Sequence, residues 1–175
     1  MNPIRIDLDN IGAAVSDLEK VKAELRAKNK KFLDELARWA TIYGTMHFGE
    51  AIYDGTNDVI VTKEDRGEGK VAIVATSPHH PDVPLFIEFG TGVVYPDTHP
   101  EAGTLGMIRG EYGYHLGKSE KGWRYHGDPG TNGEIIEHGG EEWVKTYGNP
   151  ANMSLWQTVR DLEEIYEEVA REVFK

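Results

Sequence analysis

The spacing of apolar residues predicts helices near the N-terminus. Apolar residues from Ile11 to Leu25 share one helical face, which predicts a first helix over about 10–26. Apolar and aromatic residues then return at helical spacing and predict a second helix over about 30–48. The polar segment 27–31 between them fits either a break or a continuous exposed turn.

The clearest periodicity lies at the C-terminal end and predicts one helix over 152–174, with Asn152 or Ser154 capping its start. Its glutamates lie mostly off the apolar stripe, which favours a helix that faces the core and turns an acidic side to solvent. A coiled-coil seam with another subunit is the less favoured interpretation. The stripe consists of six residues spaced four, three, four, three and four apart: Leu155, Val159, Leu162, Tyr166, Val169 and Val173.

Between the helical ends the hydrophobic period changes to that of strands. β-Branched runs at 58–62 and 70–75, separated by turn residues, predict a β-hairpin. Two further strands are predicted at 123–125 and 141–147. The apolar run 84–89 begins with proline, which suits a helical turn, whereas its residue types suit a strand, and the pattern leaves both open.

These elements predict a single domain, as expected for a chain of 175 residues. An N-terminal arm or short strand over 1–9 precedes the helices assigned within 10–48. A sheet region over 57–148 contains a long glycine-rich loop over 90–122, and the helix over 152–174 closes the chain. A loop of that length without a hydrophobic period is typically functional or disordered.

Charge and composition exclude several classes of function. Thirty acidic residues against 19 basic ones give a formal charge of −11, so we expect no general affinity for nucleic acid or anionic membranes. The absence of cysteine excludes disulfide scaffolds, thiol nucleophiles and cysteine zinc sites. No apolar run is long enough to cross a membrane.

Residues of metal-ligand type occur in the loops, but their spacing matches no metal motif. His79, His80 and Asp82 lie in a proline-rich turn, and His99 follows in the long loop. The pattern His-Glu-x-x-His is absent, as is a histidine pair at helical spacing. We therefore predict no metal ligands.

Glu88 is the most suggestive acid–base candidate because apolar residues flank it and Gly90-Thr-Gly92 follows. The favoured interpretation is structural: a buried carboxylate that accepts hydrogen bonds from the neighbouring loop. The glycines lack the Lys-Ser/Thr of a phosphate loop and do not open a helix, so no nucleotide site is predicted. We expect no catalytic residue, no cofactor and no small-molecule substrate.

Aromatic residues cluster in the glycine-rich half of the chain. Tyr112, Tyr114, Trp123 and Tyr125 combine a large area with few rotatable bonds, which suits a protein–protein contact. Packing over the sheet explains them equally well.

Four landmarks in a fixed order resemble the minor tail-component family of long-tailed bacteriophages, also called head–tail joining or tail-completion proteins. Phe-Ile-Glu-Phe-Gly-Thr-Gly at 86–92 matches the family's aromatic-aliphatic-Glu-aromatic-Gly-Thr-Gly core. The segments 108–113, 122–125 and 146–150 match the later landmarks. One segment departs, because many members carry Ala-Pro-x-x-Thr-Gly-x-Leu where this chain has an unrelated sequence at 50–58, as in a divergent branch.

The resemblance implies an α+β fold, with a small, mainly antiparallel sheet packed against N-terminal helices and one long C-terminal helix. It implies a structural virion protein of a tailed phage or prophage at the head–tail junction, assembled in the bacterial host cytoplasm. The implied partners are further copies in a ring and other neck or tail proteins, with no specific nucleic-acid binding even where DNA passes through the assembly. The motif and candidate interface residues are Phe86, Glu88, Phe89, Gly90, Thr91, Gly92, Tyr112, Gly113, Trp123, Tyr125, Gly148, Asn149 and Pro150.

Two other functions stay open on the sequence. The first is a small metal-assisted or acid–base hydrolase that uses Glu88 and the loop histidines. The second is a small cytosolic adaptor or inhibitor that binds a host protein as a monomer through the aromatic loop.

Overall fold

The protein is described by a computed structural model over residues 11–92, 94–95, 98–112 and 121–175. The arm or strand predicted over 1–9 lies outside the described residues. Gly113 of the candidate interface and its neighbour Tyr114 lie outside them as well.

The described residues form three helices and five strands, and the predicted α+β fold is confirmed. The strands lie in two small antiparallel sheets rather than in one, a hairpin β1-β2 and a three-stranded sheet of order β3-β5-β4. None of the described helices is long and apolar enough to span a membrane. The elements in chain order are α1 (Ile11–Gly49), β1 (Ile60–Gly67), β2 (Lys70–Thr76), α2 (Val83–Phe89), β3 (Trp123–Tyr125), β4 (Glu134–His138), β5 (Glu141–Thr146) and α3 (Ser154–Val173).

The N-terminal region is one continuous helix of 39 residues, so the division into two helices is wrong. The polar segment 27–31 contains neither glycine nor proline, and nothing in it opposes helix formation. Lys30 instead pairs with Asp34 one turn later at 2.9 Å. Lys63 of β1 reaches the same carboxylate at 2.7 Å and ties the hairpin to the helix.

The C-terminal half of α1 packs antiparallel against α3. At one end the rings of Phe32 and Phe174 meet edge to face with centroids 5.9 Å apart. At the other end Ser154, fully buried, donates to the carbonyl of His47 at 3.2 Å. The predicted C-terminal helix therefore forms and packs on α1, and Val169 and Val173 of its apolar stripe are buried. The stripe does not face the core throughout, because Val159 and Tyr166 are 50% and 48% exposed.

The predicted cap of α3 is wrong because both candidate side chains are used elsewhere. Asn152 exchanges two hydrogen bonds with the backbone of Ile52, at 2.8 and 2.9 Å. Ser154 points back to α1, and the capping position itself is occupied by Met153 in a left-handed conformation with φ of 55°. The backbone N–H groups in the first turn of α3 donate instead to the carboxylate of Glu88, which lies in α2.

The two later strands form where the sequence predicted them, and so does the hairpin, except that β1 runs over 60–67 rather than 58–62. A further strand, β4, was missed because it lies between turn signals and is mostly exposed, leaving little alternation to read. The run 84–89 belongs to the short helix α2, with Pro84 in the first turn where its missing N–H costs nothing. Val83 and Ile87 of α2 join Phe48, Tyr53 and Val61 in the core.

Gly44 is the close-contact point between α1, the hairpin and α3. A Cβ atom there would lie 3.0 Å from Val61 Cγ1 and 3.6 Å from Thr158 Oγ1. We predict that Gly44→Leu lowers the free energy of unfolding by about 1–3 kcal/mol through overpacking. Gly12→Leu is the matched control, because Gly12 lies in the same helix with no atom within 4 Å. Equal urea midpoints for the two variants would contradict this packing.

Candidate functional site

An aromatic cleft of about 550 Å³ lies beside the three-stranded sheet and collects most of the residues that the sequence singled out. Its walls come from the segment after α1, the turn before α2, the start of the long loop, and β3 with the turn that follows it. The sequence-predicted residues that line it are Phe86, Thr91, Gly92, Tyr112, Trp123, Tyr125 and Asn149.

Two backbone segments cross at the edge of this cleft, residues 90–92 and 146–149, here called the loop crossing. The Thr91 N–H donates to the carbonyl of Asn149 at 2.9 Å. In return Thr91 Oγ1 accepts from the backbone N–H of Asn149 at 2.9 Å and from its side-chain amide at 3.1 Å. Segments 58 residues apart in the chain are thereby locked in register.

The motif glycines are required by this crossing. A Cβ on Gly148 would lie 2.3 Å from the Thr91 carbonyl oxygen, and a Cβ on Gly92 would lie 2.6 Å from that of Tyr147. Both glycines have positive φ, 99° and 73°, which side-chain-bearing residues rarely adopt. The glycines therefore serve close backbone approach, consistent with the rejection of a phosphate loop from sequence.

Asp54 stabilises the loop crossing through hydrogen bonds. The sequence pattern did not mark it as a candidate residue. Its backbone N–H donates to Asn149 Oδ1 at 2.6 Å, and its carboxylate accepts from the Thr146 hydroxyl and from the Asn132 N–H. Burial raises the pKa of Asp54, and the two donated hydrogen bonds oppose that shift. The one sequence feature that marked Asp54 was its place in an Asp-Gly pair. That pair lies in the segment 50–58, where the chain departs from the pattern of the family that it resembles.

Glu88 caps the start of α3 from α2. Its two carboxylate oxygens accept from the backbone N–H groups of Leu155, at 2.6 Å, and Trp156, at 3.0 Å. These N–H groups belong to the first turn, which has no acceptors within its own helix, and a negative charge is favoured there. Glu88 is only 5% exposed, so its role is that of a buried structural acceptor, with the helix rather than the loop as its main partner.

His99 completes the surroundings of Glu88. Its Nε2 lies 3.1 Å from Glu88 Oε1, and its Nδ1 accepts from the Glu101 N–H at 3.1 Å. Its ring lies 4.3 Å from that of Phe89, between centroids. The buried Glu88–His99 pair thus attaches the long loop to both α2 and α3.

The other candidate metal ligands do not join this pair. His80 lines the aromatic cleft, which Glu88 and His99 do not line. Over the described ranges, no group of three or more ligand-type side chains is arranged to hold a metal ion.

The tyrosines of the region serve the loop and the cleft walls. Tyr112 donates its hydroxyl to the Gly90 carbonyl and lies near the rings of Phe86 and Phe89, with centroids 6.0 and 6.3 Å away. Tyr125 donates to the Asp128 carbonyl at 2.7 Å. Of the remaining predicted residues, Phe89 is buried and Pro150 is half-buried beside the crossing.

The ionisable groups that line the cleft are aspartates, histidines and tyrosines. Burial, with a smaller contribution from neighbouring acidic groups, raises the pKa of Tyr53 to about 12. Burial and the nearby carboxylates of Asp54 and Asp128 raise the pKa of Tyr125 to about 12 as well. Among the described lining residues there is no lysine or arginine. The cleft therefore combines ring faces and carboxylates, the groups that attract a cationic side chain.

Comparison with known proteins found no matching family model, no matching curated protein and no matching solved structure.

Gly148→Ala tests the loop crossing. The added methyl would meet the Thr91 carbonyl at 2.3 Å, so we expect a loss of unfolding free energy of about 3 kcal/mol or more. Gly139→Ala is the matched control, because Gly139 also has positive φ but no atom within 4 Å, and it should cost about 1 kcal/mol. Chemical denaturation measures both. Similar losses would mean that the crossing is not a steric constraint.

Glu88→Gln separates the structural role from a catalytic one. An amide offers one acceptor oxygen where two backbone donors need one each, so we expect a loss of about 1–3 kcal/mol in unfolding free energy. Glu164→Gln on the exposed side of α3 is the control and should change stability little. Unchanged stability in Glu88→Gln would contradict the capping role and favour the hydrolase.

Proposed function

We propose that this protein is a structural virion component of a tailed bacteriophage or prophage, a minor tail or tail-completion protein at the head–tail junction. It acts by assembling into a ring and by contacting neighbouring neck or tail proteins, and it is not an enzyme. The observation that carries the proposal is the meeting of the first and last family landmarks, 86–92 and 146–150, in one interlocked crossing.

The use of the motif residues supports a structural function. The glutamate of the motif caps α3 and its glycines permit the close approach at the loop crossing. Its threonine hydrogen-bonds to Asn149 in the other segment of the crossing. Glu88, Thr91, Gly92 and Gly148 of the motif therefore each have a structural role that needs no substrate. The aromatic cleft beside the motif offers ring faces of Trp123 and Tyr125, which suit contacts with other proteins.

The hydrolase remains the alternative prediction, because Glu88 and His99 form a buried carboxylate–histidine pair. Against it, both Glu88 oxygens already accept backbone hydrogen bonds, and the pair lies outside the aromatic cleft. A general acid or base must reach the substrate.

Net charge fits a subunit of a channel that DNA crosses. With a formal charge of −11, few phosphates can release counterions to the protein, so DNA passes with little adhesion.

The deciding experiment is peptide mass spectrometry on purified phage particles from an induced lysate of the source strain. We expect this chain at a few to about a dozen copies per particle, as for a closed ring. Particles that form without the chain would contradict the virion function and favour the adaptor or the hydrolase.

A further inference from the structure

The N-terminal part of α1 projects beyond the rest of the described protein. Lys28 is the point where α3 ends beside it, since the Lys28 ammonium donates to the carbonyl of Lys175 at 2.9 Å. Residues 11–27, here called the α1 extension, are all exposed. They span about 25 Å at the rise of an α-helix.

The α1 extension carries an apolar face that is open to solvent. Leu18 is 69% exposed, and the other members, Ile11, Val15, Val21 and Leu25, are 43–52% exposed. A helix of this length gains most of its stability from packing an apolar face, which the described chain does not provide here. The face therefore indicates a partner.

Lys22 interrupts this apolar face. It follows Leu18 by one turn and precedes Leu25 by three residues, so all three lie on the same side of the helix. A lysine in the middle of an apolar contact needs a carboxylate or an aromatic ring opposite it. We therefore expect a partner surface that combines apolar area with a carboxylate or an aromatic ring.

The aromatic cleft has that combination. Its half-buried rings include Trp123 and Tyr125, and its carboxylates include Asp82. Asp82 stands at the start of α2 without making a cap hydrogen bond, so its carboxylate remains available to a cation.

The cleft of the same molecule is out of reach of its own α1 extension. Tyr53 of the cleft lies just beyond the C-terminal end of α1, whereas Leu18 lies near the N-terminal end. The helix between residues 18 and 49 is about 45 Å long, and it is continuous. Only the cleft of another molecule can receive the extension.

We propose that the α1 extension of one copy docks in the aromatic cleft of a second copy, with Lys22 facing Asp82 and the tyrosine rings. The inference rests on the ring assembly of the proposed function and names its contact. The α1 extension and the aromatic cleft lie at opposite ends of each molecule, so the contact is head-to-tail. Head-to-tail contacts generate closed rings when the rotation between neighbouring copies closes. Helix-in-groove binding of this kind reads apolar anchors at helical spacing.

Charge reversal tests the pairing. Lys22→Glu and Asp82→Lys should each weaken self-association at least about tenfold in analytical ultracentrifugation, and the double variant should recover most of it. Lys20→Glu is the matched control, since Lys20 lies away from the apolar face and pairs with Asp17. Equal effects of Lys20→Glu and Lys22→Glu, or no recovery in a double variant whose thermal unfolding matches the wild type, would overturn the proposal.

Cross-linking provides a second measurement that does not depend on these charges. The chain has no cysteine, so Val15→Cys and Thr56→Cys each introduce a single thiol, one on the extension and one on the cleft wall. A mixture of the two proteins treated with a short bis-maleimide should give mixed dimers in preference to like pairs. Predominant Val15→Cys self-pairs would indicate bundled extensions and overturn the proposal, as would a lack of cross-links at high protein concentration.

These outcomes are distinguishable from failure of the proposed function. Cross-linking and ultracentrifugation report on contacts between copies, whereas particle composition reports on the virion. Mixed dimers from a chain absent from particles would retain the contact and reject the virion function. Particles that contain the chain, together with a lack of cross-links between extension and cleft, would retain the virion function and reject the contact.

Discussion

The close approach of two backbone segments at the loop crossing is the constraint on which the rest of the structure depends. At Gly92 and Gly148 a carbonyl oxygen of the opposite segment lies so close that a Cβ atom would collide with it. Hydrogen bonds between Thr91 and Asn149 hold the two segments together. The crossing fixes the end of α2 against the segment that leads into α3. Glu88 can then reach the first turn of α3, and α3 in turn lies along α1.

Burial explains why the polar residues of this region are so fully engaged. Glu88, His99, Asp54 and Asn149 are all less than 9% exposed, and each has hydrogen-bond partners in other segments. A buried polar group without a partner costs more than a made hydrogen bond contributes, so such a network holds one arrangement of the loops. The residues of the motif thus join loops that lie far apart in the chain.

The two ends of the molecule differ in how they are stabilised. Around the crossing, buried polar contacts and small residues allow segments to meet closely. At the other end, the α1 extension has an apolar face without a described partner, together with an unusual lysine in that face. The described chain thus has a cleft at one end and an exposed apolar helix face at the other.

The sequence by itself determined the helical character of both ends, the hairpin and two of the later strands, because these depend on local periodicity and turn residues. The α+β class was what the family resemblance implied, and the run 84–89 stayed open between helix and strand. Through the motif landmarks and the clustered aromatics the sequence also identified seven of the residues that line the cleft. It did not reveal the continuity of α1, the strand β4 or the cap of α3. A polar helical segment, an exposed strand and a cap supplied from another element carry little local signal. The contacts of Asp54 with Asn149 and of Glu88 with the first turn of α3 were decided by tertiary structure alone, since they join residues 67–95 positions apart and no periodicity encodes such distances.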